Sequence, residues 1–167
     1  RDVSAMRLAA RIDDVPNIIL PNAQTRSAEI VESAGGKIDM VQDLTLLVPW
    51  EMTSTYFGAG GERDAMAEWT TNLFWYLFAD LGADEQLDDI AMSDAAALRS
   101  YLDDHIAARK AKPTKDDDVL NPCLALQKAD TPGMSDLGIR NNLLGLLIGA
   151  IPTISKASCF AIDELLN

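Results

Sequence analysis

Cysteine is scarce in this chain, with two residues among 167, Cys123 and Cys159. Their spacing fits neither a disulfide framework nor a metal knuckle, and beside Leu124 and Phe160 a buried, inert thiol is the expected state of each. Histidine is scarcer still. His105 stands alone beside Asp103 and Asp104, which leaves zinc or triad chemistry without its usual ligands and predicts a surface role for the ring. Bases are outnumbered by acids, 14 to 26, for a net charge of −12. Such a surface repels phosphate backbones and anionic lipid, which excludes nucleic-acid binding and disfavours a membrane-surface role. A solvated exterior or a basic protein partner fits it instead. The uncharged run from Asn141 to Ser155 falls short of the about 20 apolar residues of a confident membrane span. Strand-like alternation never lasts more than a few residues, and no internal repeat is present.

Two apparent motifs lose their meaning in context. Gly58-Ala59-Gly60-Gly61 follows a helical pattern rather than a strand, and Arg63 stands where a nucleotide loop needs its next glycine. Asp116-Asp117-Asp118 lacks the glycine and distal glutamate of a calcium loop, so it reads as a solvated linker.

What remains is helix after helix. The tail of one runs from Arg1 to Arg11, and two prolines make Asp14 to Pro21 a broken connection. The next helix spans about Asn22 to Ser33 and stops at Gly35-Gly36. Ile38 to Phe57 follows, kinked at Pro49, with Leu44, Leu47, Val48 and Met52 at core-facing spacing. Glu62 to Leu81 is rich in aromatics on more than one face, Phe74, Trp75 and Phe78 among them, and Gly82 closes it. An acidic loop, Asp84 to Asp89, leads to a helix capped by Ser93 and ending near Lys110. A charged linker, a short helix from Asn121 to Lys128 and the turn Thr131-Pro132-Gly133 then lead into the last element.

That element, Ser135 to Leu166, organises the rest. Ser135 supplies an N-cap and Asp136 a first-turn acid. At 1.5 Å per residue its length approaches about 45 Å, a domain diameter, and a helix apolar on every face belongs in a protein's centre. Pro152 lacks the N–H that the Ile148 carbonyl requires, so the helix must bend or open there. Gly149 and Ala150 leave that stretch almost bare, and Thr153 adds one hydroxyl, free either to bond its own backbone or to meet a ligand. The whole reads as one all-α domain, an orthogonal array built round a long kinked central helix.

Gly149-Ala150-Ile151-Pro152-Thr153 resembles the distorted centre of the I helix of cytochrome P-450 haem-thiolate enzymes, whose pattern is Ala/Gly-Gly-x-Asp/Glu-Thr. The resemblance extends upstream: Lys37 to Thr45 with Val48-Pro49 and Tyr56-Phe57-Gly58 looks like the E helix of that family, and Asp163-Glu164-Leu165-Leu166 like its I-helix exit. The order of segments is similar to the D-through-I region, with the aromatic helix as F and the helix ending near Lys110 as G. The resemblance implies a haem cofactor, a hydrophobic small-molecule substrate under Phe74 and Phe78 and a redox partner protein; the two cysteines without disulfide spacing fit a reducing, cytoplasmic setting. It implies that Gly149, Ala150 and Pro152 border the cofactor and that Thr153 serves oxygen chemistry. Two alignments stay open, one placing Pro152 on the family's acid and Thr153 on its threonine, the other placing Ile151 and Pro152 there. Either way the carboxylate is missing, which favours peroxide-driven or isomerase chemistry as a variant. The Phe-x-x-Gly-x-x-x-Cys-x-Gly ligand loop and the Glu-x-x-Arg signature are absent as well. Arg7 and Arg11 lack the Trp/His-x-x-x-Arg context of propionate-binding residues. With Arg1 rather than Met at the start and an apolar helix at the end, the chain is expected to be a piece of a longer protein, incompetent alone to ligate haem through a thiolate. A non-enzymatic helical domain that binds a ligand or partner, and a degenerate relative without activity, are the alternatives.

Overall fold

A computed structural model describes residues 2–80, 82 and 84–167; Arg1 and Leu81, the ends of two expected helices, lie outside the described residues. Among the described residues the chain is all-α, with no strand. Its helices are α1 (Asp2–Ala9), α2 (Leu20–Ser33), α3 (Leu47–Phe57), α4 (Arg63–Phe78), α5 (Glu85–Ala111), α6 (Leu120–Lys128) and α7 (Asp136–Leu166), with π-helical turns at Val15–Ile19 and Met40–Thr45.

Three boundaries differ from the sequence reading, each for a local reason. The expected break from Asp14 to Pro21 is helical, because Pro16 and Pro21 occupy first-turn positions, where a missing N–H costs nothing. Pro49 falls in the first turn of α3, and the expected single helix is interrupted at Leu46, beside the Thr45 carbonyl that Pro49 has no N–H to serve. The stretch before the interruption is a separate π-turn, begun by Asp39, which accepts from the amides of Val41 and Gln42. The acidic stretch after Asp84 is helix rather than loop: Asp84 accepts from the amides of Gln86 and Leu87, and Glu85 and Asp88 complement the helix dipole. Ser93 is therefore interior to α5.

The core forms where three helices present i, i+4 rows to one another. Leu98, Leu102 and Ile106 of α5 and Ile139, Leu143 and Leu147 of α7 are at most 1 % exposed, as is Met66 of α4. These helices pack together, and α3 joins them against α7. The expected core face of α3 is only half-buried; Pro49, Thr53, Ser54 and Phe57 are buried instead. Thr53 tolerates this because its hydroxyl donates to the Pro49 carbonyl at 2.8 Å, which satisfies the polar group inside its own helix.

The expectation that α7 is buried on every face requires correction. From Ile139 to Ile151 one side is buried, but past Ile151 no residue of α7 is. Beyond it α7 is at most half-buried, at Pro152, Ser155, Ser158, Cys159 and Ile162. Helical assignment runs unbroken through Pro152. By length and composition alone α7 could cross a membrane; its first half is packed against α4 and α5.

Two polar nodes gather at the C-terminal end of α3, and both sit on residues the sequence presents as surface charge. In the first, the Asp14 carboxylate accepts from the Arg11 amide at 3.1 Å and the Tyr56 hydroxyl at 3.0 Å, and pairs with the Arg11 guanidinium at 2.9 Å. Burial alone would raise its pKa, but these donors hold it below the ordinary carboxylate range. Burial and the same contact push the Tyr56 hydroxyl up to about 12. Because the folded-state value is the lower one, this contribution to stability is complete above the unfolded carboxylate pKa and is lost as pH falls through the folded one. Asp14→Asn is therefore expected to flatten the acid limb of a stability-versus-pH curve below about pH 4, measured by urea unfolding at each pH.

In the second node, Asp118 and Arg109 are paired at 2.6 Å with side chains 3 % and 10 % exposed. His105 Nε2 lies 2.6 Å from the Gly58 carbonyl. A carbonyl only accepts, so this histidine carries its proton on Nε2. Half-buried and stacked on Tyr101, it is a joint between α3 and α5 rather than the surface residue expected. Asp118 is buried, not a solvated linker acid. Gly58 ends α3 in the left-handed region at φ 65°, and a Cβ there would collide with the Asp118 carboxylate. Gly58→Ala is expected to cost at least about 2 kcal/mol in chemical unfolding, from backbone strain plus displacement of that carboxylate.

Candidate functional site

An apolar groove of about 480 Å³ lies where α4 crosses the second half of α7, closed on one side by Val41 and Leu46 of the π-turn region. Phe74 and Trp75 form its α4 wall; Pro152, Thr153, Lys156, Cys159 and Phe160 form the α7 wall. The local cause is the α4 sequence. Its buried row is Met66, Thr70 and Leu73, and residues one position further round the helix are turned toward α7's free end.

The structure thus brings Phe74, Pro152 and Thr153 to one cavity. It does not bring Phe78 there: Phe78 packs on Phe74 with ring centroids 5.1 Å apart but is 67 % exposed. Gly149 lies one turn before the groove, exposed, with nothing within 4 Å of where a Cβ would be, and Gly145 is equally open. Ala150 is half-buried beside it. Gly145, Gly149, Thr153, Lys156 and Phe160 share one exposed side of α7, opposite the row that fills the core.

The Thr153 hydroxyl is committed to its own helix. It donates to the Gly149 carbonyl, with the Ala150 carbonyl at 3.3 Å. The carbonyl freed by Pro152 is that of Ile148, so the threonine does not compensate for the proline. It instead occupies the acceptor one turn before it in the helix.

Three features of the groove lie outside the residues that the sequence reading singles out. Lys156 Nζ sits 4.4 Å from the Trp75 ring centroid, a cation–π contact. The sequence does carry a signal for it, since Lys156 is the lone cation between Arg140 and Asn167. Cys159 Sγ lies 2.8 Å from Thr45 Oγ1, whose own hydrogen is directed to the Val41 carbonyl at 3.3 Å; the thiol is then the donor in the first contact. Cys159 is half-buried, not the fully buried residue expected. On the other side of α7 a second apolar groove, of about 410 Å³, is lined by Leu44, Val48 and Met52 with Ile154, Ser158 and Ile162. Here lies the helix face that sequence periodicity assigns to the core.

The two cysteines differ in access. Cys123 is 0 % exposed, and burial pushes its thiol up to about 11, so it stays protonated and out of reach. Cys159 is engaged with Thr45. Arg7 is exposed and Arg11 is spent on Asp14, so neither is set toward a propionate. No group of three or more His, Cys, Asp or Glu side chains among the described residues could hold a metal ion. The Gly145–Gly149 side of α7 is bare, with nothing within 4 Å of a Cβ at either glycine.

Compared with known proteins, the sequence matches no family model and no curated protein.

Proposed function

We propose that this chain is the D-to-I helical portion of a cytochrome P-450-like haem-thiolate oxidoreductase acting on a hydrophobic small molecule, with the axial cysteine supplied by sequence outside these residues. The observation that carries the reading is the polarity of α7. Its packed side meets α4 and α5, while Gly145 and Gly149 on the opposite side face open space. A long helix with a bare side next to a phenylalanine-walled groove suits the distal wall of a cofactor site better than an ordinary core helix. In this reading the order α2 to α7 corresponds to helices D to I, in an orthogonal array around α7.

Bound haem would supply oxygen activation; the residues here would bind and exclude water. Phe74, Phe160 and Leu46 would desolvate an apolar substrate. The Thr153 proton is held on the Gly149 carbonyl, and no carboxylate among the described residues lines the groove, so none of them is placed to pass a proton through it. A peroxide-driven oxygenase fits this arrangement better than one fed by NAD(P)H through a redox partner. The setting in this proposal is cytoplasmic.

The test is the CO difference spectrum of the reduced full-length gene product. A band at the thiolate-haem position is expected, and a flat trace overturns the assignment. A second reading, a ligand-binding helical domain without catalysis, is favoured by one observation, the inward-turned Thr153 hydroxyl. A flat trace together with ligand binding in the groove would select it.

A further inference from the structure

We propose that the groove between α4 and α7 binds an organic monoanion with an apolar body, the body lying between Phe74, Leu46 and Phe160 and the anionic group on Lys156 Nζ. The inference deepens the substrate side of the proposed function, but it rests only on residues of this chain and does not require haem. The first argument is charge. The protein carries 26 acidic residues against 14 basic ones, yet the described residues lining this groove include no acid and one base, Lys156. An anion approaching elsewhere meets a repulsive surface; here the nearest formal charge is positive.

The second argument is what Lys156 lacks. Among the described residues no carboxylate lies within ion-pair distance of it, a state it shares with several other cations, but of these Lys156 alone lines the groove. Its ammonium rests on the Trp75 face, which fixes it at the groove mouth and leaves its donors free for an acceptor in the plane above. The third argument is the apolar cost. Trp75, Val41 and Phe160 are 45 %, 50 % and 65 % exposed around the cavity, so an alkyl or aryl body removes water from three large side chains at once. A cavity of about 480 Å³ accommodates a chain of about ten carbons. A neutral apolar ligand would gain the same burial but nothing from Lys156, and a cation would be repelled.

The test compares decanoate with decan-1-ol, matched tails with different heads, by calorimetric titration of the 167-residue chain at low salt. Decanoate is expected to bind about fivefold tighter than the alcohol, the scale of one solvent-exposed charge pair, with the preference shrinking as salt is added. Lys156→Gln should abolish the preference while leaving decanol affinity unchanged, and Lys156→Arg should retain it. Far-UV circular dichroism of both variants checks that the fold is intact. Equal binding of the two ligands to the unaltered chain, no binding of decanoate, or an unchanged preference in Lys156→Gln would each overturn the proposal. Because no haem enters the experiment, its failure leaves the CO spectrum as a separate test of the oxidoreductase reading.

Discussion

Asp118→Ala is expected to lower the unfolding free energy by about 3 kcal/mol or more, the cost of leaving a buried charge without its partner. The Arg109 side chain is 10 % exposed and Asp118 is its closest counter-charge, at 2.6 Å, with Asp116 further away at 3.8 Å. The same carboxylate also accepts from the Asn121 amide at 2.9 Å, in the first turn of α6, so its loss uncaps a helix as well. Asn121 in turn receives Arg109 at 3.0 Å and holds the linker through the Asp116 carbonyl at 2.8 Å. One substitution therefore loosens α5, the linker and α6 together. The double variant Asp118→Ala/Arg109→Met should recover a large part of the loss, because the unpaired guanidinium goes with it. Urea unfolding of the two single variants and the double variant measures this. Additive losses would show that the pair is not coupled.

Leu147→Ala is the second large effect, at about 3 kcal/mol. Leu147 is 0 % exposed, one i+4 step from both Leu143 and Ile151 in the row that α7 presses into the bundle. Removing three side-chain carbons there forfeits their burial and leaves a cavity that packed helices cannot fully close. Phe160→Ala removes a larger side chain from the same helix, yet should change stability by no more than about 0.5 kcal/mol, because Phe160 is 65 % exposed. The contrast isolates the change in character of α7 at Ile151. Comparable losses at the two sites would mean that the second half of the helix is structurally as important as the first.

Much of the fold is legible in the sequence because it is written in local chemistry. Ser135 accepting from the Gly138 amide at 3.1 Å starts α7 where an N-cap serine followed by an acid says a helix starts. Gly58 ends α3 in the left-handed conformation that a glycine after an apolar run advertises. Where sequence and structure part, one cause recurs: residue type decides little without register. Pro16 and Pro21 suggest a break by their identity, but a proline in a first turn costs nothing. Ser93 looks like a cap, yet Asp84, an aspartate followed by acids, is the stronger start. Burial is harder to read than helicity. Nothing local reveals that Asp118 meets Arg109 across a linker, or that Asp14 meets Tyr56 from α3, since those contacts exist only once the helices are packed.

The candidate site is legible in part. Phe74, Pro152 and Thr153 do converge on one cavity, because a small-residue stretch ahead of a proline and an aromatic-rich helix carry their character in sequence. The Thr153 hydroxyl takes one of the two states the sequence leaves open, the bond to its own helix, by its χ1 rotamer; the outward position of Phe78 depends on a rotation about a helix axis that composition leaves open. Lys156 is inconspicuous because a single lysine in an apolar helix looks like a solubilising residue until Trp75 is seen beneath it.

The bare side of α7 is what the proposed function depends on, and Gly149→Phe addresses it directly. Nothing lies within 4 Å of a Cβ at that position, and glycine is itself a poor helix former by about 1 kcal/mol. The substitution should therefore leave the urea midpoint of this chain unchanged or slightly raised. In the full-length gene product the same phenylalanine would project into the space assigned to the cofactor's ligand side, and the CO difference band of the unaltered protein should be lost. A variant that folds normally and keeps that band at full height would contradict the placement of α7 against the reaction site.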